Sequence, residues 1–392
     1  MARPRSISSS APPLSSGAGR AGVKRPEIPA EAIALDTSLA GERTTGIGLY
    51  TVRLAAELAR GPLAEWLWFV GGRGEALPGN VAHSPARLRS RSLWMLAEAP
   101  KLLASHRARL FHGLSNFPLP LQRPANTRLL LTVHDVIPLT HPESVSRAFR
   151  LQFQAWIGRS LQLCDAVLCD SEATRSELVA RFPGVPASVV HLGVDHVPSR
   201  ERALAGAPVV GGRPYVLYLG ALDARKNVGV LLRAFEALPG ARELALVIIG
   251  QSAFGSRQLQ ADIERLRRAG LDIQTPGHLP AEQVWGAMAR AAVLCSPSSA
   301  EGFGLPPLEG LALGVPVVAS RIAAHQEILG DAALFAGPGD ADELASALQR
   351  ALEDSELSRS LRARGPVQAA RFTWRRCADE TSGVYHSVLG SV

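Results

Sequence analysis

The sequence predicts an α/β protein of two doubly wound, Rossmann-like domains facing each other across a cleft. Three observations carry that expectation. A chain of 392 residues exceeds what one hydrophobic core normally supports, so two domains of roughly 150 to 200 residues are expected. From residue 31 onward, apolar runs of strand length alternate with amphipathic helical patterns, as βαβ units require. Midway, the Pro- and Gly-rich stretch HVPSRERALAGAPVVGGRP (196–214) interrupts the alternation, which then resumes. Ligands of open parallel sheets bind beyond the carboxyl ends of the strands. Two such sheets therefore turn their ligand loops toward one crevice.

The opening MARPRSISSSAPPLSSGAGRAGVKRP has arginines but no apolar stretch of the kind that drives secretion, and its composition reads as a disordered basic tail over residues 1–30. The first domain spans 31–200. Its strands are expected in AIALDTSLA (32–40), LWFVGG (67–72), RLFHG (109–113), TRLLLTVHD (127–135) and DAVLCDS (165–171), and its helices in LYTVRLAAELAR (49–60) and EATRSELVARF (172–182). It closes near SVVHLGVD (188–195). The second domain spans 205–372 and begins with the β-rich start of YVLYLGALDARKN (215–227). Strands in LALVIIG (244–250), AVLCSPSS (292–299), GVPVVAS (314–320) and AALFAGPG (332–339) alternate with helices such as SRQLQADIERLRRAG (256–270) and DADELASALQRALED (340–354).

Hydrophobic residues make up 46% and charged residues 20% of the chain, an ordinary globular balance. Cys164, Cys169, Cys295 and Cys377 form no C-x-x-C pair or metal spacing, which points to reduced thiols and a cytoplasmic location. No run approaches the roughly 18 to 20 apolar residues of a spanning helix. A net charge of +7 favours polyanionic partners, such as phosphorylated substrates or anionic lipid. The arginines are dispersed and lack interleaved aromatics, so nucleic acid is not an expected partner.

The chemistry concentrates in SSAEGFGLPPLEG (298–310), where seven residues separate Glu301 from Glu309. The segment follows an apolar run, so Glu301 lies at a strand's carboxyl end. Pro306 and Pro307 suit the first turn of a helix, where a missing N–H costs nothing, and Leu305 takes the N-cap position. Gly302 and Gly304 let a ligand approach the backbone, while the helix N-terminus offers amides and partial positive charge to a phosphate. Glu301 can then accept from sugar hydroxyls, and Glu309, a helical turn further on, from those of a ribose. Taken singly, either glutamate reads as a surface acid or a partner of the helix dipole. The glycines and both carboxylates together point to a ligand site.

Residues 298–320 match, almost throughout, the segment SxxEGFGLPxLEAMAxGxPVVAS of the retaining glycosyltransferases of family 4. The sequence resembles that family from about residue 31 to 390. HQEILGDAALFAGPGDADELASAL (325–348), GIGLYTVRLAAEL (46–58), TVHDVIPLTHPE (132–143), VLCDSEATRSEL (167–178) and VVHLGVD (189–195) extend the likeness. The resemblance implies the GT-B fold, with the segment 373–392 and its helix RRCADETSGVYHSVL crossing back to the first domain. It implies transfer of a hexose from a nucleotide-diphosphate sugar, GDP- or UDP-linked, to a saccharide or lipid-linked saccharide, with retention at the anomeric carbon. No metal and no cofactor beyond the sugar nucleotide is expected. The D-A-D at 340–342 stands directly before ELASALQRAL as a helix cap, so side-chain cations must balance the diphosphate.

Within the resemblance, LGALDARKNVGVLLRAFEAL (219–238) is the donor diphosphate loop, presenting Arg225 and Lys226 near a helix that starts at Asn227. Ala221 stands where many members carry an arginine, and Arg225 is the candidate to take its role. His134 and Asp135 end a strand on the ligand-facing rim, and the resemblance implies that His134 hydrogen-bonds a sugar hydroxyl. Gly46 and Gly48 of TTGIGLY form an incomplete dinucleotide fingerprint, with Thr51 at the third position; the resemblance makes them the glycine loop that approaches the donor phosphates. His278 and Leu279, in GHLPAEQ (277–283), match the loop that touches the nucleobase. The expected catalytic set is thus His134, Arg225, Lys226 and Glu301. Asp135, Gly302, Phe303, Gly304, Leu305 and Glu309 are expected to bind substrate. The forms TVHDVIPLTHPE and RKN resemble bacterial mannosyltransferases that use GDP-mannose in O-antigen or polysaccharide assembly. Two rivals share much of this pattern. A GT-B sugar-nucleotide epimerase should lack the two-glutamate segment, and a non-catalytic nucleotide-sugar-binding protein would have lost Lys226 or a glutamate.

Overall fold

Apolar runs that can be buried on both faces become parallel strands, and the chain forms two all-parallel sheets from them. The structure, a computed structural model, describes residues 26–41, 46–72, 76–116, 119–120, 122–206, 212–250 and 257–390. Most of the expected N-terminal tail, residues 42–45 of the glycine loop and residues 207–211 of the linker lie outside these.

The first sheet contains β1 (Ile33–Asp36), β2 (Leu67–Gly71), β3 (Ala82–Pro85), β4 (Leu110–Gly113), β5 (Arg128–Val133), β6 (Ala166–Cys169) and β7 (Ala187–Val189). Their order is β3-β2-β1-β4-β5-β6-β7. Around it run α1 (Gly46–Leu58), α2 (Arg91–Leu93), α3 (Ala99–Ser105), α4 (Ile137–Thr140), α5 (Arg147–Leu163) and α6 (Glu172–Arg181). β3 was not expected from the sequence. Its AHSP is short, partly exposed and ends in proline at the sheet edge, where no hydrophobic periodicity marks it.

The second sheet contains β8 (Tyr215–Leu219), β9 (Ala245–Ile249), β10 (Asp272–Gly277), β11 (Val293–Ser296), β12 (Val317–Ser320) and β13 (Ala333–Ala336), in the order β10-β9-β8-β11-β12-β13. The stretch between the sheets, expected as plain linker, holds the helix α7 (Arg200–Ala205), capped by the Ser199 side chain. Then follow α8 (Val228–Glu236), α9 (Arg257–Arg268), α10 (Ala281–Arg290), α11 (Leu305–Ala312), α12 (Ala323–Leu329), α13 (Ala341–Glu353), α14 (Ser355–Ala369) and α15 (Trp374–Leu389). Asp340 caps α13 by accepting from the Glu343 amide at 2.9 Å, so the D-A-D is a helix start as expected.

In each sheet the strand order reverses at one place, between β1 and β4 and between β8 and β11. These reversals open crevices at the carboxyl ends of the strands. At the second one the backbone is tight: a Cβ at Gly250 would lie 1.8 Å from the Gly220 carbonyl oxygen, so only glycine fits.

α15 returns to the first sheet. The Tyr385 hydroxyl lies 2.7 Å from His112 Nδ1 on β4, and His112 Nε2 lies 2.8 Å from the Thr132 hydroxyl on β5, which is 2.9 Å from the Tyr50 hydroxyl of α1. Burial pushes His112 down to about 3, so the ring is neutral and both nitrogens are satisfied by hydroxyls. Near the crossover, the Val194 amide donates to the Phe372 carbonyl at 3.0 Å and the Trp374 amide to Asp195 at 2.8 Å. All four cysteines are free thiols, and burial raises Cys164 and Cys169 to about 12. Tyr385→Phe should leave a buried imidazole nitrogen unpaired and lower stability by about 1–3 kcal/mol. Urea unfolding of the full chain measures this, with the midpoint shifted down and the slope unchanged.

Candidate active site

The site is built where β8 and β11 end. After β8 the chain turns through a single 3₁₀ turn, Ala224–Lys226, begun by Asp223, whose carboxylate accepts from the Lys226 amide at 3.2 Å. Asn227, in the left-handed region at φ 52°, then starts α8. This fixes Arg225 and Lys226 side by side. The loop after β11 is laced to the same turn, because both the Ser299 amide (2.7 Å) and its hydroxyl (3.1 Å) donate to the Arg225 carbonyl.

Glu301 sits between the two loops. Lys226 Nζ lies 2.5 Å from its Oε1, Arg225 Nη1 lies 3.1 Å from its Oε2, and the Ser298 hydroxyl donates to Oε1 at 2.7 Å. Its side chain is only 10% exposed. Burial pushes the carboxyl up, but Lys226 and Arg225 pull harder the other way, and its pKa falls to about 2. Arg225 also faces Asp223 at 3.5 Å, and Glu301 and Asp223 outweigh its own burial, so its pKa is raised. Beneath the loop lies His325. Burial lowers its pKa; its Nδ1 lies 3.1 Å from the Ser320 hydroxyl, and its ring backs Gly304.

Gly302 to Leu305 form the turn into α11. The N-cap is Gly304 at φ 92°, and Leu305 is the first helical residue rather than the cap. Pro306 and Pro307 follow it in the first turn, as expected, and this changes the phosphate argument. Two of the early helix positions carry no N–H, so the turn's donors are the amides of Phe303, Gly304 and Leu305, which have no acceptor among the described residues. Gly46 at the start of α1 faces this turn, its missing Cβ lying 3.8 Å from Leu305 Cδ1. Gly48 is buried within α1. The Phe303 side chain is buried against Phe372, with ring centroids 5.9 Å apart, so Phe303 offers a ligand its backbone and not its ring.

The loop is also fastened to the first sheet's side of the cleft. The Ser171 hydroxyl (2.5 Å) and the Thr174 hydroxyl (3.2 Å) of the α6 start both donate to the Gly302 carbonyl. Glu327 of α12 caps the same helix, accepting from the Glu172 amide at 2.7 Å and the Ala173 amide at 3.0 Å, with His191 Nε2 at 2.9 Å.

His134 corrects an expectation. Its side chain is buried, with Nδ1 2.6 Å from Asp170 and Nε2 3.1 Å from the Leu114 carbonyl, so neither nitrogen is directed at a sugar hydroxyl. Burial lowers its pKa, but the Asp170 carboxylate outweighs this and the value is raised. Its backbone carbonyl is what meets the site, standing 1.9 Å from where a Cβ of Gly302 would be. Asp135 does reach the cleft. It lines a pocket of roughly 340 Å³ together with Asn116, Ser115, Arg91 and, from the second sheet, Asp223 and Arg225.

Glu309 is buried in α11, its Oε1 3.0 Å from His196 Nε2, and His196 Nδ1 accepts from the Trp374 indole at 3.1 Å. His278 is exposed and Leu279 partly buried in the loop after β10. The sequence reading missed Asp223, Ser298, His325, His196, Asp170 and Glu327. Asp223 and Ser298 are local, the first an acid three residues before Lys226 as a cap would stand and the second a hydroxyl three residues before Glu301; the others act over long sequence distances. Among the described residues no group of three His, Cys, Asp or Glu side chains is placed to hold a metal ion.

Residues 44–197 match the family described as Glycosyltransferase Family 4, and residues 199–368 match Glycosyl transferases group 1. The chain belongs to glycosyltransferase family 4. This glycosyltransferase is 29% identical over 371 residues to the O-antigen chain mannosyltransferase B of Escherichia coli, covering 87% of this chain and 96% of the relative. Sucrose-phosphate synthase of Thermosynechococcus elongatus superposes with a TM-score of 0.74 at 21% identity, over 91% of this chain and 98% of that one. Anabaena HepE, solved in complex with UDP-glucose, superposes with a TM-score of 0.71 at 16% identity, over 91% and 99%. At such identities the two structures speak for the fold, which is GT-B.

A depressed carboxyl pKa stabilises the folded state fully above the unfolded value, near 4.5, and that stability is lost as pH falls toward 2. Part of the acid loss of Tm between pH 6 and 3 should therefore disappear in Glu301→Gln, whose dependence is flatter. At pH 7 the same variant, which leaves Lys226 under-compensated, should be less stable by about 3 kcal/mol. Thermal melts across that pH range check both.

Proposed function

We propose that this glycosyltransferase moves a hexose from a nucleotide-diphosphate sugar to a hydroxyl of a saccharide or lipid-linked saccharide, retaining the anomeric configuration and without a metal ion. The observation that carries the reading is the convergence, at one strand-end crevice, of Lys226, Arg225, the unpaired amides of Phe303 to Leu305, and Glu301. Cations and amides fixed in advance are what a leaving diphosphate requires. Mannose from GDP-mannose, in bacterial polysaccharide or O-antigen synthesis, is the first candidate, supported by the name of the Escherichia coli relative. A sugar nucleotide as donor is supported by the UDP-glucose complex of HepE.

In this reading the diphosphate lies on the loop amides, with Lys226 and Arg225 carrying its charge, and Arg225 takes the place of an arginine at Ala221. Glu301 accepts from a hydroxyl of the donor sugar, and Glu309, held by His196, from the ribose. His278 and Leu279 border the base. No side chain stands as a covalent nucleophile. The bond from the anomeric carbon to the phosphate oxygen breaks as the bond to the acceptor oxygen forms on the same face, and the acceptor proton passes to the departing phosphate.

Among the described residues no helix is long and apolar enough to cross a membrane. The chain's basic excess supports peripheral contact with an anionic inner membrane surface.

A screen of UDP-, GDP- and ADP-sugars by thermal shift should single out one donor, since a ligand at one hundred times its Kd adds roughly 2.7 kcal/mol. Lys226→Ala and Glu309→Ala should each abolish that shift; normal turnover in both would refute the site. With the donor known, turnover unchanged by EDTA and a product of retained anomeric configuration by NMR are expected, and chelator-sensitive activity would overturn metal independence. Sedimentation with anionic vesicles should show association that weakens with salt, whereas no association at low salt would remove the membrane contact.

A further inference from the structure

The pocket beside Asp135 is larger than one acceptor hydroxyl needs, and its charges are unevenly committed. Two cations line it among the described residues, Arg91 and Arg225. Arg91 Nη2 lies 2.7 Å from Asp36 Oδ2, and the same guanidinium donates to the Ser38 and Ser115 hydroxyls at 2.7 and 2.6 Å. Arg225 is bound to Glu301 and faces Asp223. Each cation therefore already has a carboxylate. Asp135 has none of the reverse kind: its Oδ1 accepts only from the Ile137 amide, at 3.1 Å, and it makes no salt bridge among the described residues. Burial raises its pKa against the pull of Arg225, as for a carboxylate short of counter-charge.

The rest of the lining is apolar. Ile137 and Pro138 of α4, Val145, and Phe149 and Phe153 of α5 supply it, with Phe149 36% exposed and Phe153 buried. A pyranose ring has one face of C–H groups suited to an aromatic surface and hydroxyls suited to Asp135 and Asn116. With the donor's diphosphate on Arg225 and Arg91 held by Asp36, a phosphorylated ring would bring two negative charges beside Asp135 with no further cation among the described lining residues to meet them.

We infer that this pocket is an acceptor subsite selective for an uncharged sugar ring, whose hydroxyl donates to Asp135 and whose apolar face rests against Phe149 and Phe153, and that it rejects rings bearing phosphate. The inference rests on the transferase reading above. It goes further by naming the charge class of the acceptor and Asp135 as the residue that sets it.

The test uses the full chain, the sugar nucleotide found by thermal shift, and two acceptors that differ in one group, an octyl hexoside and its 6-phosphate. The uncharged acceptor should have the higher kcat/KM by about tenfold or more. Asp135→Asn should raise KM for the uncharged acceptor and narrow the preference, while the donor still shifts the melting temperature. Phe149→Ala, at the exposed rim, should raise the acceptor KM and leave the donor KM in place, and it remains informative if the Asp135 variant does not fold. Equal or preferred use of the phosphorylated acceptor, or an unaltered preference in Asp135→Asn, overturns the inference while the transferase reading stands. A wild-type protein that no sugar nucleotide stabilises overturns both.

Discussion

One carbonyl holds the site together. Two separate α/β sheets form a single catalytic cleft only if the loops at their edges keep a fixed register, and here the Gly302 carbonyl is the fastening point. The Ser171 and Thr174 hydroxyls grip it from the start of α6, while Glu327 of α12 caps that helix from the other side of the seam. The approach leaves no room for a side chain at 302, because the His134 carbonyl occupies the space. A helix N-terminus is well suited to this task. Its unpaired amides take the carboxylate, and its cap hydroxyl donates to the partner loop.

With that register set, the charges fall into place. Glu301 is ionised in a dry setting only because two cations and a hydroxyl surround it. The same arrangement keeps Lys226 and Arg225 within reach of the cleft instead of loose in solvent. The two cations thus serve first as counter-charges within the protein, and an entering diphosphate would compete with Glu301 for them. Such a pre-paired cluster costs less to hold near an empty cleft than bare cations would, since each buried charge already has a partner.

The histidines show how misleading a chemically suggestive residue can be out of context. His134 is clamped between Asp170 and the Leu114 carbonyl, His112 is neutral between two hydroxyls, His325 supports the Gly304 turn, and His196 orients Glu309. Each spends its ring nitrogens inside the protein. The carboxylate next door, Asp135, by contrast lines the open pocket on the first sheet's side.

The sequence by itself determined the two parallel sheets, the break between them and the loop that carries Glu301. Each is written in local pattern: apolar runs of strand length, glycines and prolines at fixed offsets, and a helical period after each turn. It also placed Arg225 and Lys226 beside the start of a helix, since they stand between the strand that ends at Leu219 and the helical pattern that begins near Asn227. It did not show the short edge strand at Ala82–Pro85, which has no periodicity, or the helix at Arg200–Ala205 within a stretch rich in proline and glycine. Nor did it show which way His134 points or what holds Glu309. Those are decided by partners 36 and 113 residues away. Orientation of a side chain depends on which acceptor the fold brings within 3 Å, and only the tertiary structure sets that distance.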